Sequence, residues 1–357
     1  MTDLGGSHSW LRDAAGGVER AHGGALAARS RPSDDDLATV RGFPVAERQS
    51  IGPRIERVRF GVAPPATAIL KSGGFWRGAR ESILYESGLL DFAIDGAPRF
   101  LGSGAGAWIL IEDCDATRRP DLASQQDVRA VFQRLASIHA HHRNLYERID
   151  EITRESLASA PLTMASPCDA IDRADDLTEM VVAASRSRQT WEIGAREVAA
   201  LDSIREWARG PFGVTLADAE TTLLHGDYQV GNWLIDAAEE VRVIDWELAA
   251  VGPGILDLQF VDVDGRWSVF APSGDDALIA LDAYCQRCSD LHAAVPRDPV
   301  AAARDAVTWG AIAGARARLA DFRSGEGKTR GNRAEIPGQV VDLIAISERG
   351  ARRRLGL

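Results

Sequence analysis

Nowhere in these 357 residues does an unbroken apolar run reach the roughly 18 residues that a membrane-spanning helix requires. The opening stretch MTDLGGSHSWLRD has no basic segment leading into an apolar core, so no secretory leader is expected. Cysteine is scarce: four in a chain this long do not staple a disulfide scaffold, and they suit a reducing cytoplasm. Clustered positive charge is missing as well. The net charge is −11 and the basic residues are scattered, which excludes the basic face that nucleic acid demands. An acidic balance mildly favours neutral or cationic partners, and it serves solubility equally well. No internal repeat is visible. What is left, 45% hydrophobic and 26% charged residues, is ordinary for a folded soluble protein of one or two domains.

Residues 1–32 are rich in Gly, Ala and Arg with little periodicity, and read as a partly disordered extension. Ser33 followed by Asp34, Asp35 and Asp36 predicts a helix N-cap with acids in the first turn. From about residue 45 to 72 the pattern becomes strand-like. IERVRFGV (55–62) alternates, Pro64-Pro65 breaks it, and ATAILK (66–71) resumes it. FWRGARESILYESGLL (75–90) has helical spacing, and RFLGSG with AWILIED predicts a hairpin over 99–113 around Gly102–Gly106. Beyond Cys114 the character turns helical. DVRAVFQRLASIHAHHRNL (127–145) carries apolar residues at three- and four-residue steps, and residues 150–220 are Ala-rich and amphipathic. After a short β-rich island at 221–248, helices resume. The expected division is an extension (1–32), a small strand-rich part (33–113) and a larger helical part (114–357).

The island carries the chemistry. WLID and VRVID, separated by AAEE, read as a β-hairpin. With Asp236 paired to Val241 across a four-residue loop, Asn232 falls opposite Asp245, their Cα atoms roughly 4.5–5.5 Å apart. An amide and a carboxylate so placed are hard oxygen donors suited to Mg²⁺, which draws its remaining ligands from water and substrate phosphates. Five residues before Asn232 stands Asp227, in the run His225-Gly226-Asp227. Asp-x-x-x-x-Asn is the spacing of a kinase catalytic loop, where the Asp receives the proton of the attacking hydroxyl and the Asn holds metal.

HGDYQVGNWLI followed by VIDWELAAVGPGILDL resembles the aminoglycoside phosphotransferase and choline kinase-like family, a branch of the protein-kinase-like fold. The resemblance implies an α+β, bilobal chain: a small lobe with a five-stranded antiparallel sheet and a helix, then a larger, mainly helical lobe, with ATP in the cleft between them. It implies Asp227 as catalytic base and Asn232 and Asp245 as the magnesium ligands. Asp257 would brace the catalytic loop and His225 would shape it. Lys71, closing ATAILK, stands where the family has a lysine that contacts the α- and β-phosphates. Glu81, ten residues on, is its implied partner, with Glu86 the competing candidate. AWILIEDCD looks like the last strand of the small lobe and its hinge, where the backbone near Ile111, Glu112 and Asp113 would hydrogen-bond the adenine. The implied activity is transfer of a phosphoryl group from Mg-ATP to a hydroxyl of a small molecule, such as an aminoglycoside or another antibiotic. A sugar, an amino alcohol or a homoserine-like metabolite is the alternative acceptor. A kinase-shaped binding module without turnover is the rival from another class, and the intact set Asp227, Asn232 and Asp245 opposes it.

Departures from the protein-kinase pattern are equally informative. There is no GxGxxG loop, Gly52 being the nearest candidate; HGD replaces HRD, IDW replaces DFG, and no APE run follows. These point away from a protein kinase. The acceptor pocket is expected from about 150–215 and 258–325. There Trp191, Trp207, Trp267 and Trp309 could stack on a ring or fill the core. Asp262, Asp264, Asp275 and Asp276 could receive a polyamine or form a solvated acidic face. Cys285, Cys288 and His292 share helical spacing but lack the fourth ligand and the turn of a zinc site, so small buried residues are expected instead. His139, His141 and His142 read as a polar helix terminus, and Asp257 could equally cap a helix starting at Leu258.

Overall fold

The computed structural model describes residues 31–62, 66–72, 77–104, 108–114, 117–158, 160, 162–164, 167–187, 195–217, 219–265, 272–324 and 336–357. The expected N-terminal extension, apart from Arg31 and Pro32, lies outside the described residues, as do Pro64-Pro65, Gly106, Trp191 and Trp267. The chain begins with α1 (Asp34–Arg41), β1 (Val45–Gly52), β2 (Ile55–Phe60), β3 (Ala66–Ser72), α2 (Arg77–Glu86), β4 (Phe100–Gly104) and β5 (Trp108–Glu112). Helices α3 (Gln125–His141), α4 (Leu145–Arg148), α5 (Glu151–Ala158), α6 (Pro167–Ser187) and α7 (Ala195–Trp207) follow, then a π-helical turn (Ala208–Phe212) and α8 (Gly213–Ala217). The island holds β6 (Thr221–Leu224), β7 (Trp233–Ile235), β8 (Val241–Val243) and β9 (Ala250–Pro253), and α9 (Asp275–Asp290), α10 (Pro299–Ser324) and α11 (Ile336–Leu355) complete the chain.

These elements gather into two compact units. The first comprises the chain up to Arg119 together with Ile149–Ser159 and Asn232–Ala249, and the second the remainder. The β7–β8 hairpin therefore folds with the first unit, although the expected division at 113 lies far before it in the chain.

In the first unit the five strands form one antiparallel sheet in the order β1-β2-β3-β5-β4. Ser33 starts α1 with a capping box: its Oγ accepts the Asp36 N–H at 3.1 Å, and the Asp36 carboxylate accepts the Ser33 N–H at 2.8 Å. Alternation along the strands buries Val58 and Phe60 of β2, Ala68 and Leu70 of β3, and Trp108 and Leu110 of β5 against Leu37 of α1. Each large side chain in that cluster contributes roughly 1.5–3 kcal/mol by leaving water. The same period of two turns Lys71 to the face opposite Leu70.

The β7–β8 hairpin departs from the expected register by one residue. Ile235 pairs with Val241 and Trp233 with Val243. The Asp236 carboxylate accepts the N–H groups of Ala238 at 2.8 Å and Glu240 at 3.0 Å, and Glu239 takes a left-handed conformation with φ 60°. This aspartate turn draws Asp236 opposite Glu240, with its N–H on the Glu240 carbonyl at 3.0 Å. Asn232 consequently faces Ile244, whose N–H reaches its carbonyl at 3.0 Å, and not Asp245.

In the second unit α3 starts at a Ser124 cap and buries Val128, Val131, Phe132, Leu135, Ile138 and His139 along one face. That helix packs on α9, and α10 packs on α11. Trp207 stacks on Phe212 at 4.4 Å between ring centres, and Phe212 lies 5.5 Å from Trp309. Both tryptophans are fully buried, so core packing claims them. Strand β6 pairs with β9 in a separate two-stranded sheet.

Candidate active site

The first unit brings together a lysine and two carboxylates. Lys71 Nζ lies 2.9 Å from each oxygen of Glu81 and 3.0 Å from Oδ1 of Asp245. Glu81 shares the buried face of α2 with Leu84 and Tyr85, three and four residues on. Glu86 turns elsewhere and accepts from Ser82 Oγ at 3.0 Å and from Ser103. Burial opposes the charge on Lys71, yet the carboxylates of Glu81 and Asp245 hold its ammonium above the ordinary lysine range. For Glu81, burial pushes the carboxyl up and the ammonium beside it pulls it back. The outcome is a cation that stays charged and is fixed in place.

Helix α2 also holds the residues after Asp245. Trp246 N–H donates to Glu81 Oε1 at 3.4 Å, and Arg80 Nη1 donates to the Glu247 carbonyl at 2.8 Å. Asp245 itself is left-handed, φ 68° and ψ 62°, a conformation uncommon for a residue other than glycine. Its carboxylate meets Lys71 through one oxygen while the side chain remains 40% exposed. Asn232, buried, ends the short 3₁₀ turn before β7.

The second unit builds a loop around Asp257, which is 1% exposed. Its Oδ2 accepts the His225 N–H at 2.7 Å and its Oδ1 the Gly226 N–H at 2.8 Å. His139 Nε2 lies 3.1 Å from the same Oδ2, and His139 Nδ1 lies 2.9 Å from the Tyr284 hydroxyl. A carboxylate only accepts, so Nε2 carries the proton and, in the neutral ring, Nδ1 accepts from Tyr284. Gly254 gives this ring its room: a Cβ there would lie 2.7 Å from His139 Nδ1. Gly226 has φ 82°, which glycine adopts without strain. Its carbonyl accepts from Gln259 Nε2 at 2.9 Å, and Tyr228 Oη donates to the Val131 carbonyl of α3 at 2.7 Å. Asp227 N–H donates to His225 Nδ1 at 3.2 Å. The Asp227 carboxylate is thus presented from a backbone tied down on both sides, with Gln229 Nε2 at 3.1 and 3.3 Å from its oxygens.

A model of the phosphotransferase enzyme family matches residues 92–291, more than half of the chain. The chain belongs to that family. In fold, this phosphotransferase is similar to the choline kinase LicA from Streptococcus pneumoniae (13% identity, TM-score 0.57, covering 87% of this chain and 97% of that one). It is similar to the macrolide 2'-phosphotransferase MphH from Brachybacterium faecium (19% identity, TM-score 0.58, 84% and 96%). The streptomycin–ATP–APH(2")-IIa ternary complex matches at 13% identity, TM-score 0.55, over 93% of this chain and 99% of that one. The fold is the α+β, protein-kinase-like one, and the family is one of phosphotransferases.

The remaining expected residues of this phosphotransferase fall as follows. Ile111 pairs with both Ile69 and Phe100, and the Glu112 N–H donates to the Arg99 carbonyl at 2.9 Å, so both backbones serve the sheet. Asp113 is the first of the three beyond β5, and its carboxylate pairs with Arg57 at 2.7 Å. Gly52 pairs with Ile55 across the tight turn Pro53-Arg54. Asp262 is buried, and Asp264 is bonded by Arg304 at 2.9 Å and by Arg353. Asp275 and Asp276 open α9. Cys288 is buried and Cys285 half-buried in α9; burial pushes the Cys285 thiol up to about 11 and that of Cys288 up to about 12. No helix starts at Leu258, where Asp257 lies inside a 3₁₀ turn, Gly254–Leu258. His139 is the residue that the pattern of the sequence misses. Expected with His141 and His142 as a polar helix terminus, it is instead buried and bonded to Asp257 and Tyr284. Among the described residues no helix is long and apolar enough to cross a membrane.

Proposed function

We propose that this phosphotransferase moves the γ-phosphoryl group of ATP to a hydroxyl of a small acceptor. The observation that carries the proposal is Lys71 pinned between buried Glu81 and left-handed Asp245. A fixed ammonium beside a half-exposed carboxylate is suited to a nucleotide triphosphate and its metal. In that assignment Lys71 contacts the α- and β-phosphates, and the backbone at Asp113, the end of the expected Ile111–Asp113 stretch, meets the adenine. The donor set fits Mg²⁺: Asn232 and Asp245 offer hard oxygens, and a carboxylate 40% exposed has an oxygen to give. Bound there, the ion would supply positive charge against the phosphate oxygens. Asp227 orients the acceptor hydroxyl and takes its proton; the hydroxyl oxygen bonds to the γ-phosphorus as the bond to the β,γ-bridging oxygen breaks, and ADP leaves. His225 and Asp257 keep the loop in position for this.

An aminoglycoside acceptor draws support from the acidic residues of the second unit, but two of the four are already committed. Asp264 is neutralised by Arg304 and Arg353, and Asp262 is buried. That favours a smaller acceptor, an amino alcohol, a sugar or a homoserine-like metabolite. The test is ADP release from Mg-ATP across such compounds, aminoglycosides and macrolides, with Asp227→Asn alongside. Turnover should fall by roughly 10²–10⁴ in the variant while titration calorimetry finds Mg-ATP affinity nearly intact. Full turnover in Asp227→Asn would remove it as the base, and ATP binding with no turnover on any acceptor would favour a binding module.

A further inference from the structure

We infer that Gln229 selects acceptors carrying a second hydrogen-bond donor on the carbon next to the reacting hydroxyl, that is, 1,2-amino alcohols or 1,2-diols. The inference rests on the reading of Asp227 as the base. Gln229 Nε2 lies 3.1 Å from Asp227 Oδ2 and 3.3 Å from Oδ1. The nitrogen end of the amide must be the one that faces the carboxylate, because a carboxylate only accepts. In a planar amide Oε1 then lies about 2.2 Å from Nε2. Among the described residues Oε1 accepts nothing: the amide's only hydrogen bonds are the two to Asp227. Gly231 adds no side chain beside it, where a Cβ would stand 3.6 Å from Oε1.

The loop thus presents two acceptors side by side, an oxygen of Asp227 and Oε1 of Gln229, no more than about 5.5 Å apart. Donors on adjacent carbons are held about 3 Å apart, so each reaches its own acceptor at an ordinary hydrogen-bond length. A lone hydroxyl satisfies Asp227 and leaves Oε1 unanswered once the acceptor has displaced water. Discrimination on the order of ten- to a hundred-fold follows from one unmade hydrogen bond of that kind.

The probes are ethanolamine against choline, whose quaternary nitrogen has no N–H, and trans-2-aminocyclohexanol against cyclohexanol, with glucosamine and kanamycin A as larger members of the first kind. ADP release from Mg-ATP is coupled to NADH oxidation. The expected result is turnover with at least one vicinal donor, with kcat/KM for a vicinal compound ten- to a hundred-fold above that of its match. Gln229→Leu, similar in shape without polar atoms, should bring that ratio close to one with KM for ATP unchanged. Gln229→Ala should do the same should leucine crowd the loop. A ratio near one in the wild type, a ratio unmoved in both variants, or no turnover with any vicinal donor overturns the inference. Full turnover in Asp227→Asn would instead overturn the assignment of the base beneath it, which keeps the two failures apart.

Discussion

Asp257 answers three donors at once, the N–H groups of His225 and Gly226 and the ring of His139, from a position 1% exposed. An asparagine there keeps one accepting oxygen and turns an NH₂ toward groups that donate. Asp257→Asn should therefore cost about 1–3 kcal/mol for each buried N–H left unanswered, read as a lower urea midpoint. Turnover should fall with it, while Mg-ATP affinity, which depends on Lys71 and Asp245, stays the same. Wild-type turnover in this variant would refute the bracing of the loop. At this scale the contacts legible in the sequence are those between residues close in the chain: Lys71, closing ATAILK, declares its partner Glu81 ten residues on. His139 does not, because its partner stands 118 residues away and no local pattern joins them.

At the scale of elements, periodicity locates the strands and helices and leaves their ends to side-chain chemistry. The alternation of IERVRF and ATAILK marks β2 and β3, and the helical spacing after residue 75 marks α2. The hairpin register is the instructive failure. A four-residue loop read from AAEE puts Asn232 opposite Asp245, whereas the Asp236 turn and left-handed Glu239 shorten it by one. Asp245 reaches Lys71 by its own left-handed backbone, not by its place in the ladder. Glu239 carries the strain of this turn, since a left-handed L-residue costs roughly 1–2 kcal/mol. Glu239→Gly should raise stability by up to about 1 kcal/mol, because the ion pair it forfeits to Arg118 is exposed on both sides and worth little. A urea midpoint that falls in this variant would show that Arg118 or the turn depends on the glutamate more than on its backbone.

Across the whole molecule, the first unit gathers three separated stretches of chain, and that assembly was not legible. Periodicity reports which face of an element is buried but never which distant element covers it, so Asn232–Ala249 reads as part of the helical half and folds with the sheet. One consequence is that the proposed phosphate cation and both proposed metal ligands belong to a single unit, so nucleotide binding should stabilise that unit directly. A ligand at a hundred times its Kd adds about 2.7 kcal/mol to the state that binds it, which raises Tm by roughly 2–4 °C for a chain of this size. Melting the protein with and without Mg²⁺ and a non-hydrolysable ATP analogue should show that rise. Lys71→Ala leaves Glu81 buried without its cation, so its Tm falls before any ligand is added, and the quantity to read is the shift on adding nucleotide. That shift should shrink or vanish in Lys71→Ala and in Asp245→Ala, and persist in Asp227→Asn. A full shift in Lys71→Ala would take the lysine away from the phosphates. No shift in the wild type would take the nucleotide away from this unit, whatever the likeness of the fold.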